Sequence, residues 1–151
     1  MAIARGAGTE IIRTIHHEDV DSTDGLLIFG EQHHIYTVLS VICWMRVNVS
    51  DPDWIQLYLI GWDSFAGATG QQMNIFQQNM NQTDTFIWND KFSFNGHEPL
   101  ASSMSGGTTT IAEQNAIADQ ASTVPQKLFI GAQASGNKLD VTCTFIDQNN
   151  A

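Results

Sequence analysis

Residues 35–49 read IYTVLSVICWMRVNV, and the assignment of this run decides the fold. Nearly half of its residues are β-branched and two are aromatic. Such side chains lose rotamer freedom in a helix and pack well on a pleated surface. A buried helix is the competing assignment, and the β-branched content argues against it. As a strand, the run places Ile35, Thr37, Leu39, Val41, Cys43, Met45 and Val47 on one face. The other face carries Tyr36, Val38, Ser40, Ile42, Trp44, Arg46 and Asn48. The first, nearly all apolar, is predicted to face a core, and the second to be partly covered by a neighbouring subunit.

Turn residues bracket this run. Ser50-Asp51-Pro52-Asp53 reads as a tight turn, with Pro52 pre-set for its first central position. Residues 54–62 (WIQLYLIGW) then return as a second strand, so a long central antiparallel hairpin is expected. Trp54, Tyr58 and Trp62 share one face of that strand. Shorter β-prone runs occupy 9–16 and 26–29. Residues 73–82 (MNIFQQNMNQ) fit either a short helix or an irregular strand. A small hairpin is expected over 83–94, closed by Asn95-Gly96, and a last hairpin over 127–147 around Ser135-Gly136-Asn137. Residues 111–121 are the best helix candidate, ended by Val124-Pro125. The sum is seven or eight strands with at most one or two short helices. That pattern predicts an all-β antiparallel sandwich of jelly-roll type. Residues 1–8, rich in Gly and Ala, read as a flexible arm, and residues 9–151 as a single domain.

Only 15% of the residues are charged, so the polar surface must come from Asn, Gln, Ser and Thr. The net charge is −10, and no two of Arg5, Arg13, Arg46, Lys91, Lys127 and Lys138 are neighbours. Phosphate backbones are bound by clustered cations, so neither direct nucleic-acid binding nor attraction to an anionic membrane is expected. No apolar run is long enough to span a bilayer as a helix, and no export signal is apparent. Cys43 and Cys143 fall in strand interiors and read as small buried hydrophobes rather than a disulfide framework.

Residues in chemistry-bearing patterns are few. His16, His17, His33 and His34 are candidate metal ligands, because imidazole is the usual zinc or iron donor. Adjacent residues on a strand point to opposite faces, so at most one of each pair could meet a common ion, and ordinary turn or interface histidines are the plainer reading. The acidic segment with Asp19, Asp21 and Asp24 resembles a calcium loop, but its twelfth position is Gly30 rather than Glu. No G-x-S-x-G elbow, phosphate loop or dinucleotide fingerprint occurs. The reading is therefore a non-enzymatic chain without a cofactor. The aromatic residues around the central hairpin suit core packing or subunit contacts better than a sugar platform, because Ile60 sits among them.

Residues 4–16 (ARGAGTEIIRTIH) and 138–150 (KLDVTCTFIDQNN) resemble the ends of small structural proteins of tailed bacteriophages, marine ones in particular. The resemblance covers about a fifth of the chain and implies a virion component, first of all a head decoration (cement) protein. It further implies a β-sandwich that assembles as a homotrimer on the capsid surface, made in the host cytoplasm. Its partners would then be further copies of itself and the major capsid protein or other virion proteins. A tail or connector component, or a carbohydrate-binding sandwich used in host recognition, are the alternatives. Candidate interface residues are Arg5, Tyr36, Trp44, Arg46, Trp54, Tyr58 and Trp62, chosen because Tyr, Trp and Arg dominate interface hot spots.

Overall fold

A computed structural model of the chain describes residues 8–23, 25–63, 68–98, 111–112, 115 and 123–149, with only the backbone at 62–63 and 68–69. Nine strands follow in order: β1 (Glu10–Val20), β2 (Gly25–Phe29), β3 (His34–Val47), β4 (Asp53–Asp63), β5 (Ala68–Met80), β6 (Thr85–Trp88), β7 (Phe92–Asn95), β8 (Lys127–Ala132) and β9 (Lys138–Asn149). Every pairing between them is antiparallel. One sheet has the order β1-β9-β3-β6, with β7 also paired to β3, and the other runs β2-β8-β4-β5.

β6 and β7 lie end to end along β3, so they act as one interrupted strand: Trp88 opposes Val41 and Phe92 opposes Val38. Counted that way there are eight strands. The first pairs with the eighth, the second with the seventh, the third with the sixth and the fourth with the fifth. This nesting is the jelly roll, and the fold is the all-β sandwich that the alternation predicts.

The local connections differ from the sequence reading. The expected central hairpin does not form, because β3 lies in the first sheet and β4 in the second. β3 is instead flanked by β9 and by β6 with β7, while β4 pairs with β5 and β8. β6 and β7 likewise do not pair with each other, and β8 and β9 belong to different sheets. At Pro52 and at Ser135-Gly136 the turn residues carry the chain across to the facing sheet, whereas Asn89 to Lys91 only interrupt one strand that continues in the same direction along β3. Residues 73–82 resolve as strand up to Met80. Of the helix expected over 111–121, only Ile111, Ala112 and Asn115 are described, and all three are helical. The arm at 1–7, and Arg5 with it, lies outside the described residues.

The faces of β3 also need correction. Its register with β9 shifts between Val38 and Ser40. One extra residue moves every later side chain to the other face. The inward row is therefore Tyr36 and Val38 before the bulge, then Val41, Cys43 and Met45 after it, all at most 1% exposed. The expected single apolar face is thus split between inside and outside, with Ile35 and Thr37 facing out. β9 has no such break across β3's centre, and Leu139, Val141, Cys143 and Phe145 point inward as its alternation predicts. From the second sheet Ile55, Leu57, Leu128 and Ile130 complete the core.

Both ends of the sandwich are pinned. At one end a chain of backbone bonds crosses between the sheets: Gly96 N–H donates to His34 O, Gln126 N–H to Gly96 O, and Gly30 N–H to Gln126 O, each at 2.8 Å. A Cβ on Gly30 would overlap the Gly96 carbonyl, and one on Gly96 the Glu31 carbonyl, so the backbones meet only because both residues are glycine. At the other end the crossover from β3 to β4 is held by buried polar groups. Asn137 Nδ2 donates to Asp53 Oδ2 at 2.8 Å, and Asn137 Oδ1 accepts from Val49 N–H at 3.0 Å. Asn48 Nδ2 donates to Met80 O at 2.9 Å. Asp53 is 3% exposed and Asn137 2% exposed, so neither can exchange its partner for bulk water. Asn137→Ala should therefore lower stability by about 2 kcal/mol, since it orphans a buried carboxylate oxygen and a backbone amide. Ser135→Ala, in the exposed part of the same turn, should stay within about 0.5 kcal/mol, and urea denaturation midpoints would separate the two.

Candidate functional site

At the end closed by Gly30 and Gly96, polar groups converge on the inward face of the first sheet. Register dictates the meeting: Asp147 of β9 stands between Ile11 of β1 and Tyr36 of β3. Arg13 Nη1 donates to Asp147 Oδ2 at 2.9 Å, and His34 Nδ1 lies 2.6 Å from Asp147 Oδ1. The other ring nitrogen of His34 is 3.3 Å from Glu31 Oε2. Glu31 N–H in turn donates to the Tyr36 hydroxyl at 3.0 Å. The His34 and Tyr36 rings stack at 5.9 Å, and the Arg13 guanidinium sits 5.4 Å from the Phe145 ring centre. Burial, partly offset by the Glu31 amide, pushes the Tyr36 phenol up to about 12. Two clefts flank the cluster. One of about 280 Å³ is lined by residues including Arg13, Ile15, Phe29 and Phe145, and one of about 200 Å³ by Thr9, Ile11, His34, Asp147 and Asn149.

A carboxylate–imidazole pair can orient a general base, but the base then needs a nucleophile at its other nitrogen. Here that nitrogen faces Glu31, a second carboxylate. The described thiols lie deeper in the core. Cys143 opposes Val41 and Cys43 opposes Val141, so the two are diagonal neighbours across β3 and β9. Diagonal pairs stand about 7–8 Å apart, wider than a disulfide accepts, and both are free thiols. Burial pushes each up to about 12, with the Cys143 charge adding at Cys43. The cluster therefore works as a clamp joining β1, β3, β9 and the β2–β3 loop.

The four candidate metal ligands are not brought together. His16 is level with Thr142 and Ile42, and His34 with Asn149. Those positions are separated by eight residues along β3, roughly 25 Å. His16 Nδ1 lies 2.8 Å from Thr142 Oγ1, and His17 Nε2 lies 2.6 Å from Leu26 O. His33 occupies the turn before β3 with φ 68°. No group of three or more His, Cys, Asp or Glu among the described residues is arranged to hold an ion. In the acidic segment, Asp19 takes the Arg46 guanidinium and Asp21 Oδ1 accepts from Thr23 N–H at 2.7 Å, while Asp24 lies outside the described residues.

The interface candidates are dispersed. Tyr36 is 1% exposed and packs against Phe94 and Phe145, so it offers no contact surface; the bulge in β3 turned it inward. Tyr58 is 8% exposed and stacked 5.5 Å from Phe129, which also removes it from a sugar platform. Trp54 is half-buried, and only the backbone of Trp62 is described. Arg46 bridges Asp19 and, at 3.3 Å, Asp140. Trp44 remains exposed, on the outward face of the first sheet.

That face has an unusual composition. Across it Ile12, Ile146, Thr37 and Ser93 form one row, Thr14 and Thr144 the next, and His16, Thr142, Ile42 and Ile87 a third. Trp44 follows between Asp140 and Thr85. Side-chain contacts tie the strands: Thr14 to Thr144 at 3.3 Å, Thr37 to Ser93 at 2.8 Å, and His16 to Thr142. Ile12 is 70% exposed, Ile87 57%, Trp44 42% and Ile42 40%, so this apolar surface is open to water. No row from Ile12 to Ile42 holds Asp, Glu, Lys or Arg. Charged residues border the face: Glu10 at one end, Glu18, Asp19, Asp140 and Arg46 at the other, and Asp90 with Lys91 at the edge between β6 and β7.

No protein-family model matches the chain, and no curated protein matches it. Among solved structures, a chain from Bacillus endospore appendages, described as disulfide-linked pili, is 9% identical at TM-score 0.44, over 100% of this chain and 97% of that one. A chain of infectious bursal disease virus, Gx strain, is 11% identical at TM-score 0.44, over 96% of this chain and 34% of that one. A chain of T=1 particles derived from the same virus is 13% identical at TM-score 0.39, over 99% and 38%. Likenesses of this size carry no conclusion about family or role.

Two measurements test the site. Asp147→Ala should cost about 2 kcal/mol, because it strips charge-assisted bonds from a buried carboxylate, whereas Arg13→Ala should cost under about 1 kcal/mol, its half-exposed side chain being screened by water. The thiols give a pH dependence. The unfolded chain releases thiol protons from about pH 9, while the folded chain keeps them to about pH 12. Stability is thus complete below pH 9 and falls as pH rises through that window. The fall in urea midpoint between pH 8 and pH 10 should be smaller in a Cys43→Ala, Cys143→Ala variant than in the wild type.

Proposed function

We propose that the chain is a structural protein of a virus particle, of the capsid-decoration (cement) type found on tailed-bacteriophage heads. In this reading it sits on the capsid surface as a homotrimer and stabilises the head through contacts with the major capsid protein and with itself. The observation that carries the reading is the outward face of the first sheet: a formed, uncharged, apolar surface left open on a chain whose described ionisable groups assemble no catalytic constellation. Charged residues are depleted in interface cores, and exposed apolar patches of this kind mark protein contacts. The resemblance of residues 4–16 and 138–150 to phage structural proteins supplies the particle.

The test is direct. The purified source particle should contain the chain at high copy number by quantitative mass spectrometry, with matching density outside the capsid shell by cryo-electron microscopy. A particle that lacks the chain would overturn the assignment. Density confined to the tail or connector would keep a virion role and replace the decoration reading.

A further inference from the structure

We infer that Asn95-Gly96 is a deamidation site, kept silent in the folded chain by the backbone bonds that pin the two sheets together and made reactive by unfolding. It is the only Asn-Gly dipeptide in the sequence. In such a pair the glycine backbone nitrogen attacks the asparagine side-chain carbon Cγ. A nitrogen–carbon bond forms, and the side-chain nitrogen departs with the glycine amide proton as ammonia. Water then opens the cyclic imide at either carbonyl, which leaves an aspartate or an isoaspartate in place of Asn95. Glycine favours the attack because no Cβ obstructs its nitrogen and its backbone turns freely. The fold cannot dispense with this glycine, since a Cβ on residue 96 would overlap the Glu31 carbonyl oxygen.

In the folded chain the attack is blocked at the peptide group that joins the two residues. Its N–H, on Gly96, donates to His34 O at 2.8 Å, so the nitrogen that must lose its proton is held to an acceptor in β3. Its carbonyl, on Asn95, accepts from Gln126 Nε2 at 3.0 Å. Asn95 also ends β7 in register with Ile35. Rotation about the Asn95 ψ angle, which brings the Gly96 nitrogen to Cγ, would break both bonds. Gly96 is itself buried, and its carbonyl accepts from Gln126 N–H. Reaction therefore waits for this end of the sandwich to open, and its rate scales with the open fraction. The isoaspartate product routes the main chain through the former side chain and lengthens it by one carbon. Gly96 is then displaced from His34 and Gln126 at a place without room for a Cβ. A chain that stays folded is spared, and one that lingers unfolded is marked and cannot rebuild this end.

The experiment incubates the full chain in mildly alkaline buffer, with and without guanidinium chloride. Mass spectrometry follows deamidation of the peptide that holds Asn95, with isoaspartate resolved by chromatography. The unfolded chain should deamidate at Asn95 faster than at any other asparagine, and the folded chain should do so about tenfold or more slowly. Gly30→Ala drives a methyl group against the Gly96 carbonyl, so in buffer alone it should deamidate at Asn95 faster than the wild type, whether or not it folds. After dilution from denaturant, isoaspartate should collect in the fraction that fails to refold. A folded wild type that reacts as fast as the unfolded chain, or a Gly30→Ala variant that reacts no faster than the wild type, overturns the gating. Isoaspartate shared equally between refolded and unrefolded fractions overturns the claim that marked chains cannot return.

Discussion

The structure depends on β9 lying between β1 and β3. It is hydrogen-bonded along nearly its whole length on both sides, to β1 from Gln148 to Leu139 and to β3 from Asn149 to Lys138. Among the described residues β1 pairs with no other strand, and without β9 the first sheet would fall into two pieces. The inward row Leu139, Val141, Cys143 and Phe145 fills the middle of the core, at no more than 2% exposure. Just beyond that row, Asp147 organises the clamp of Arg13, His34 and Glu31. At the other end and on the other face, Asp140 holds Arg46. One strand thus sets the core, the inward clamp and the charged border of the outward face.

The class of fold was legible in the sequence, and its wiring was not. Alternation and turn residues locate strands because they report burial and chain reversal, both local properties. Whether a reversal closes a hairpin or carries the chain to the facing sheet depends on partners far away in sequence, such as Cys143 opposite Val41. Hence Pro52 and Ser135-Gly136 mark real reversals that close no hairpin, and Asn89 to Lys91 mark a break in one strand rather than a turn. The bulge at Leu39 had no signal of its own in a run of apolar residues, and it alone moved Tyr36 from the expected surface to the core.

The clamp was partly legible. Asp147 falls on the same parity as Val141, Cys143 and Phe145, and a carboxylate at an inward position requires a buried donor. Its partners could not be read, since Arg13 and His34 arrive from strands more than a hundred residues away. The histidine pairs drew attention for metal chemistry, yet the register sends them to opposite ends of the sheet, where His34 serves Asp147 and His16 serves a hydroxyl ladder. The uncharged face escaped sequence reading for the same reason: its rows are built across four strands, and no window of sequence contains one. Sparse charge is visible in composition, but its placement along the borders of a face exists only after folding.

The nested wiring also governs how the chain reaches this state. Strands β1 and β9 are joined by contacts between residues about 130 positions apart, and the loop they close contains every other strand. Contacts so distant in sequence exact their entropy cost before they return stabilisation, which makes folding slow relative to helical chains of similar length. During synthesis β1 must wait as an unpaired strand with Ile11, Ile12 and Ile15 uncovered until β9 has left the ribosome. For that interval the isoleucine-rich segment is exposed to pairing with other nascent chains, a hazard that grows with the rate of production.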